Sequence, residues 1–160
     1  MAADRFALEG LNKGIQAELA AYVFYNKCIK IVGDDQLKTT LRTLAHEEKE
    51  HYRILEGQYD SLVRSEMWVT YNDILKRPGL PDIDEKMEGV HSDLIDSVSE
   101  SSSPRQVFEI ALILEERARN LYSELAQKTT DPKGRETYEY LVKFEASHIA
   151  KINRLMEGVK

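Results

Sequence analysis

Apolar residues recur along this chain at intervals of three and four, the period of helices that each bury one stripe. A first row reads Leu8, Leu11, Ile15, Glu18, Tyr22, Tyr25 and Ile29, with Asp4 placed to cap its helix. Gly33-Asp34-Asp35 ends that helix and caps a second, predicted to run through Leu37, Leu41, Leu44, Leu55 and Leu62 to about residue 64. The rhythm continues through Met67, Tyr71 and Leu75 until Arg77-Pro78-Gly79-Leu80-Pro81 interrupts it. Ile83, Met87, Val90, Leu94 and Val98 keep a helical period, which predicts a short outer helix over 83–99. Ser103 as N-cap and Pro104 at the first helical position open a third long helix, with Phe108, Ala111, Glu115, Ala118, Tyr122 and Leu125 inward. Thr130-Asp131-Pro132 then makes a second hairpin turn, and a fourth helix runs to about residue 157.

Polar residues occupy some of these inward seats. Glu48 and His51 stand three apart, on one face of the second helix, where the stripe wants leucine. Glu145 and His148 repeat the spacing, with Leu141 before them and Ile152 and Leu155 after. Both 145 − 48 and 148 − 51 give 97, and the same offset relates Glu18 to Glu115 and Tyr25 to Tyr122. The chain is therefore two copies of one helical hairpin. Glu18 and Glu48 each lie 15 residues from Gly33, which puts them level, roughly 22 Å from the turn at 1.5 Å per residue. Glu115 and Glu145 are symmetric about residue 130 in the same way. Packed as a bundle, the hairpins would gather four carboxylates and two imidazoles in mid-core. About 40 residues separate the second helix from the third, more than antiparallel neighbours need. A return along a bundle of about 45 Å takes only about 13 extended residues, so these two helices can run parallel, with one crossover.

Composition narrows the class. A chain of 160 residues, 42% apolar and 31% charged, with few Pro and Gly, fits one all-α domain over 1–160. Its hairpins fall at about 4–64 and 104–158 and its crossover at about 65–103. The net charge of −6 and the lack of a basic run speak against nucleic acid. No apolar stretch reaches membrane-spanning length, and Met-Ala-Ala-Asp carries no hydrophobic signal segment, so a cytoplasmic location is expected. The single cysteine, Cys28, rules out an internal disulfide framework and any Cys-x-x-Cys metal site.

An unpaired buried charge costs several kcal/mol, so acids in core seats require compensation. Four carboxylates and two imidazoles without a thiolate are a harder ligand set than structural zinc uses. Two metal ions can share bridging carboxylates while each keeps one imidazole. Di-iron and di-manganese bundles take one Glu from each of two helices and Glu-x-x-His from each of the other two. Adjacent redox metals permit two-electron chemistry on dioxygen or peroxide.

Glu18 with Tyr25, Glu48-Lys-Glu-His51, Glu115 with Tyr122, and Glu145-Ala-Ser-His148 together resemble the ferritin-like superfamily, and within it the di-iron domain of rubrerythrins. The resemblance covers all four long helices. It implies a ferritin-like four-helix bundle holding two iron ions, with manganese as the other metal suited to the ligands. Glu48 and Glu145 would bridge the metals; Glu18, Glu115, His51 and His148 would be terminal ligands. Tyr25 and Tyr122 would hydrogen-bond the carboxylates. The implied activity is reduction of hydrogen peroxide or dioxygen, in a homo-oligomer such as a dimer. Classical rubrerythrin has a rubredoxin-like tail with paired Cys-x-x-Cys, absent here, so electrons would come from another protein, such as a rubredoxin-like donor. The rubrerythrin third helix also resembles Glu-x-x-Glu, whereas Ala118 stands three past Glu115. The iron movement associated with that extra carboxylate is not implied for this chain.

Two further readings belong to other classes: a ferroxidase that stores iron inside an oligomeric shell, and a bundle whose metals serve structure alone. His46 and His91 have no repeat partner and are expected on the surface. Glu47, Glu50, Glu116 and Glu124 read as solvated flank, Cys28 as a small packed residue, and Trp68 as a packing anchor for the crossover.

Overall fold

The computed structural model describes residues 4–77, 98–99 and 102–159, and every regular element among them is helical. Four long helices, α1 (Arg5–Ile31), α2 (Asp35–Ser65), α4 (Pro104–Lys128) and α5 (Pro132–Glu157), are joined by a short α3 (Tyr71–Leu75) after α2. Their starts are set by side chains that satisfy free backbone N–H groups. Asp4 accepts from the Phe6 N–H at 3.0 Å, Asp34 from Leu37 at 2.8 Å, and Asp131 from Lys133 at 2.9 Å. Ser103 and Gln106 cap each other's backbone reciprocally, and Pro104 opens the helix behind them.

The rhythm expected to continue through Met67, Tyr71 and Leu75 is broken at Glu66. This residue takes a left-handed conformation, φ 59°, and closes α2 with a bond from its N–H to the Leu62 carbonyl. Met67 is then 60% exposed, while Trp68 and Ile74 turn inward. Gln58, fully buried in α2, holds this reversal in place. Its Oε1 accepts from the Val69 N–H at 2.9 Å, and its Nε2 donates to the Val69 carbonyl at 2.6 Å and to Thr137 Oγ1 at 2.9 Å. Arg53 donates to the Leu75 and Arg77 carbonyls, finishing α3. Trp68 anchors the start of the crossover, edge-on to Tyr138 at 5.9 Å. The outer helix expected over 83–99 lies outside the described residues except for 98–99. Those two are not helical, and Val98 is buried.

Hydrogen bonds fix the helix directions. Tyr25 pairs with Glu115, and Tyr122 with Glu18 and Gly14, so positions rising along α1 meet positions falling along α4. Contacts of Gln58 with Thr137 and of His51 with Glu145 do the same for α2 and α5. The three-residue turn between Ile31 and Asp35 makes α1 and α2 antiparallel. Consequently α2 and α4 run the same way, and the end of α2 at Ser65 and the start of α4 at Pro104 lie at opposite ends of the helices.

Along every long helix the apolar core falls into two blocks. One gathers Ala20–Tyr25, Leu37–Ala45, Val107–Leu114 and Ile152; the other gathers Leu11, Leu55, Leu62, Trp68, Tyr122, Tyr138 and Leu141. Glu18, Glu48, His51, Glu115, Glu145 and His148 stand between the blocks, all buried. On α1 the buried row is centred on Leu11, Gly14, Glu18, Ala21, Tyr25 and Cys28, whereas Leu8, Ile15 and Ile29 are only half-buried. The shift has a steric cause. A Cβ at Gly14 would lie 3.0 Å from the Tyr122 ring and 3.1 Å from Leu55, so α1 makes its close approach at a residue no apolar pattern counts.

Gly134, in the first turn of α5, is a second such place: a Cβ there would lie 2.8 Å from both Trp68 Cε2 and Thr129 Cγ2. Helix propensity alone predicts that Gly134→Ala gains about 1 kcal/mol. Overpacking against an indole wedged on Tyr138 predicts instead a net loss of about 1–3 kcal/mol. Chemical denaturation of G134A beside the wild type decides between them, and unchanged or higher stability would show that Trp68 yields.

Candidate metal centre

The six polar residues expected at one height do meet. Their ligand atoms form two overlapping groups, Glu18, Glu48, His51, Glu145 and Glu48, Glu115, Glu145, His148, each within 4.8 Å throughout. Glu48 and Glu145 belong to both. None of the six residues is more than 2% exposed. Each helix delivers its share because the polar seats sit in the inward stripe, and Gly14 lets α1 approach Tyr122 and Leu55 closely, one turn before Glu18.

The arrangement is two-fold. His51 presents Nδ1 to Glu145 Oε1 at 3.1 Å, Glu18 Oε2 at 3.6 Å and Glu48 Oε2 at 3.9 Å. His148 presents Nδ1 to Glu48 Oε1 at 3.1 Å, Glu115 Oε1 at 3.3 Å and Glu145 Oε2 at 3.8 Å. Each imidazole thus lies closest to a carboxylate of the other hairpin, and the two rings stack at 5.8 Å. The tyrosines obey the same exchange. Tyr25 donates to Glu115 at 2.6 Å and Tyr122 to Glu18 at 2.6 Å, each reaching the other hairpin's acid and not its own.

Four acids this close cannot all be ionised. Burial pushes the Glu48 and Glu145 carboxyls well above the usual range, and the neighbouring carboxylates push them further. Burial also works against Glu115, but hydrogen bonding with Glu145 and His148 holds it at about 2. Glu18 is likewise lowered against its burial, by Glu48 and His51. His148 resists the burial that disfavours its charge, and Glu115 and Glu47 carry it up to about 9. Burial and the carboxylates they face raise both Tyr25 and Tyr122 well above the phenol range, so they remain donors.

The donor set fits a pair of cations. Glu18 Oε2, Glu48 Oε1, Glu115 Oε2 and Glu145 Oε2 are buried without a hydrogen bond, each a lone-pair site that costs about 1–3 kcal/mol to leave unmet. Carboxylate oxygens with one imidazole nitrogen per group are ligands for iron or manganese and place no soft donor among them.

Glu47 departs from the expected solvated flank. It is half-buried, and its Oε2 pairs closely with His148 Nε2. It lies four residues before His51 on α2, yet serves the histidine of α5. Phe144 was likewise not singled out by the sequence; it stands edge-to-face against His51 at 4.5 Å and His148 at 5.2 Å. Tyr140 and Tyr71 stack at 4.4 Å beyond it. Glu47 and Phe144 differ by the repeat offset of 97, a signal that was in the sequence but only as a mismatch. His46 is exposed beside Glu50, Glu116 and Glu124 are exposed, and His91 lies outside the described residues. Cys28 is buried, and burial lifts its thiol to about 12, which makes it an inert packing residue.

Metal binding here must displace protons. Glu48, Glu145 and His148 all have raised pKa values, so they hold protons that compete with a cation at low pH and give them up as pH rises. Apparent affinity for a divalent metal should therefore increase from about pH 6 towards about pH 9, with net proton release on binding. Calorimetric titrations in buffers of different ionisation enthalpy measure that release; an affinity flat in pH would show that none of the three is displaced. Comparisons with protein-family models, with curated proteins and with solved structures found no match, so the reading of this centre rests on its own side chains.

Proposed function

We propose that the chain is a di-iron carboxylate oxidoreductase of the rubrerythrin type on a ferritin-like bundle, reducing hydrogen peroxide or dioxygen. One observation carries the reading: two four-residue ligand groups, each with one imidazole, share Glu48 and Glu145 inside a sealed core. A single cation would not need two acids common to two groups. A structural site would not need to hold four acids in a hydrophobic interior at such cost. Two bound irons would supply the two electrons that turn peroxide and two protons into two waters.

The protein's part is to hold and shield. Glu48 and Glu145, common to both groups, would bridge the ions, and Glu18 and Glu115 would each hold one. Tyr25 and Tyr122 fix the free rotation of those terminal carboxylates through short hydrogen bonds. The apolar blocks above and below keep bulk water from the centre. Re-reduction would come from a donor such as a rubredoxin-like protein. Manganese suits the same ligands.

Anaerobic loading with Fe(II) should reach two irons per chain, and peroxide should then oxidise both without mineral growth, as followed by absorption and Mössbauer spectra. Accumulation of many irons in a large particle would make storage the function, and metal inert to both oxidants would leave a structural role. Glu48→Leu removes one shared ligand together with like-charge repulsion. It should abolish loading of the pair while raising metal-free stability by about 1–4 kcal/mol. A variant that still loads two irons would overturn the bridging assignment.

A further inference from the structure

The two halves of the centre are alike in their carboxylates and differ behind their histidines. His148 has Glu47 behind it, a carboxylate paired with Nε2 on the side of the ring away from the cluster. His51 has the corresponding repeat position filled by Phe144, whose ring stands at 82° to the imidazole, and its Nε2 is buried without a hydrogen-bond partner. Resting on the metal reading above, we propose that Glu47 makes the two metal positions unequal, so that the ion held by Glu48, Glu115, Glu145 and His148 binds first and more tightly.

The reason lies in what each imidazole must do to become a ligand. Both rings face the carboxylates through Nδ1, so Nδ1 must offer its lone pair and the ring proton must sit on Nε2. For His148 that proton has an acceptor in Glu47, which fixes both tautomer and ring angle and makes Nδ1 the stronger donor. For His51 the same proton has no hydrogen-bond acceptor, and the Phe144 ring stands edge-to-face beside the imidazole at 4.5 Å. The ligand-ready tautomer is thus supported on one side and unsupported on the other. Glu47 also adds a negative charge on the His148 side alone. It is a positioning residue: it acts through His148, and its side chain remains a quarter exposed.

Titration of the full metal-free chain with Co(II) under anaerobic conditions, followed by visible ligand-field bands and by calorimetry, reads each step. The wild type should bind two ions in two resolved steps, at least about tenfold apart. Glu47→Gln, isosteric and at a partly exposed position, should weaken the first step by about 10–100-fold and bring the two together. Glu115→Gln should remove the tight step and Glu18→Gln the weak one, which assigns each step to its position. Phe144→His, offering His51 an acceptor nitrogen, should tighten the weak step. Circular dichroism of each variant separates misfolding from lost binding. Two ions of equal affinity, or a Glu47→Gln variant with both steps intact, would overturn the proposal and leave the metal centre standing. Absence of any Co(II) binding by the wild type would overturn both.

Discussion

Mutual burial of like charges is the constraint on which the rest depends. Glu18, Glu48, Glu115 and Glu145 all lie inside the protein, and the opposed shifts show how the metal-free chain copes. Burial and like charge raise the pKa of Glu48 and Glu145, while neighbouring hydrogen bonds and histidine lower that of Glu18 and Glu115 against their burial. Protons are weak substitutes for cations, because each neutralises one oxygen, and Glu18 Oε2, Glu48 Oε1, Glu115 Oε2 and Glu145 Oε2 still lack a hydrogen bond. A divalent ion in each group would neutralise several oxygens at once. The stability of the core and its chemistry are therefore one question, since the groups that cost most to bury are the groups whose donor atoms could hold a metal.

The packing is arranged to bear that cost. The apolar blocks above and below are filled by Phe24, Leu41, Leu44 and Phe108 on one side and by Leu11, Leu55, Tyr138 and Leu141 on the other, all nearly inaccessible. Exchange between hairpins binds the layer further. Tyr25 and Tyr122 cross to the opposite acid, and each histidine lies nearest the opposite Glu. Neither hairpin alone can satisfy its own polar residues. The layer that weakens the core thus also specifies how the two hairpins meet, because any other register would strand a buried acid without a donor.

Most of this was legible in the sequence, for a definite reason. A polar residue in an inward seat is conspicuous against the period, and a second copy at offset 97 identified Glu18, Glu48, His51, Glu115, Glu145 and His148 before any coordinates. Helix starts were readable because caps are chemical: Asp4, Asp34, Ser103 and Asp131 each stand where a side-chain oxygen is needed. The inner row of α1 was misplaced because Gly14 carries no apolar weight, although the helix packs closely on Tyr122 and Leu55 there. The end expected for α2 at about residue 64 falls within a residue of Ser65, although the left-handed Glu66 that closes it leaves no local mark in the sequence. Nothing in the apolar period marks Gln58 and Thr137, which are buried because they bond each other and, for Gln58, the backbone at Val69.

Glu47 was missed for a subtler reason, and it shows what a duplicated sequence conceals. Matching copies rewards identity, so attention falls on positions where the hairpins agree. A duplicated site built only from those positions would hold two equivalent ions, with nothing to favour one over the other. Any difference between the ions has to come from positions where the copies disagree. Glu47 and Phe144 are such a pair, seated behind the two histidines, one offering an acceptor and the other a hydrocarbon ring. The repeat accounts for two like clusters of acids and imidazole, and its defects account for the difference behind their histidines.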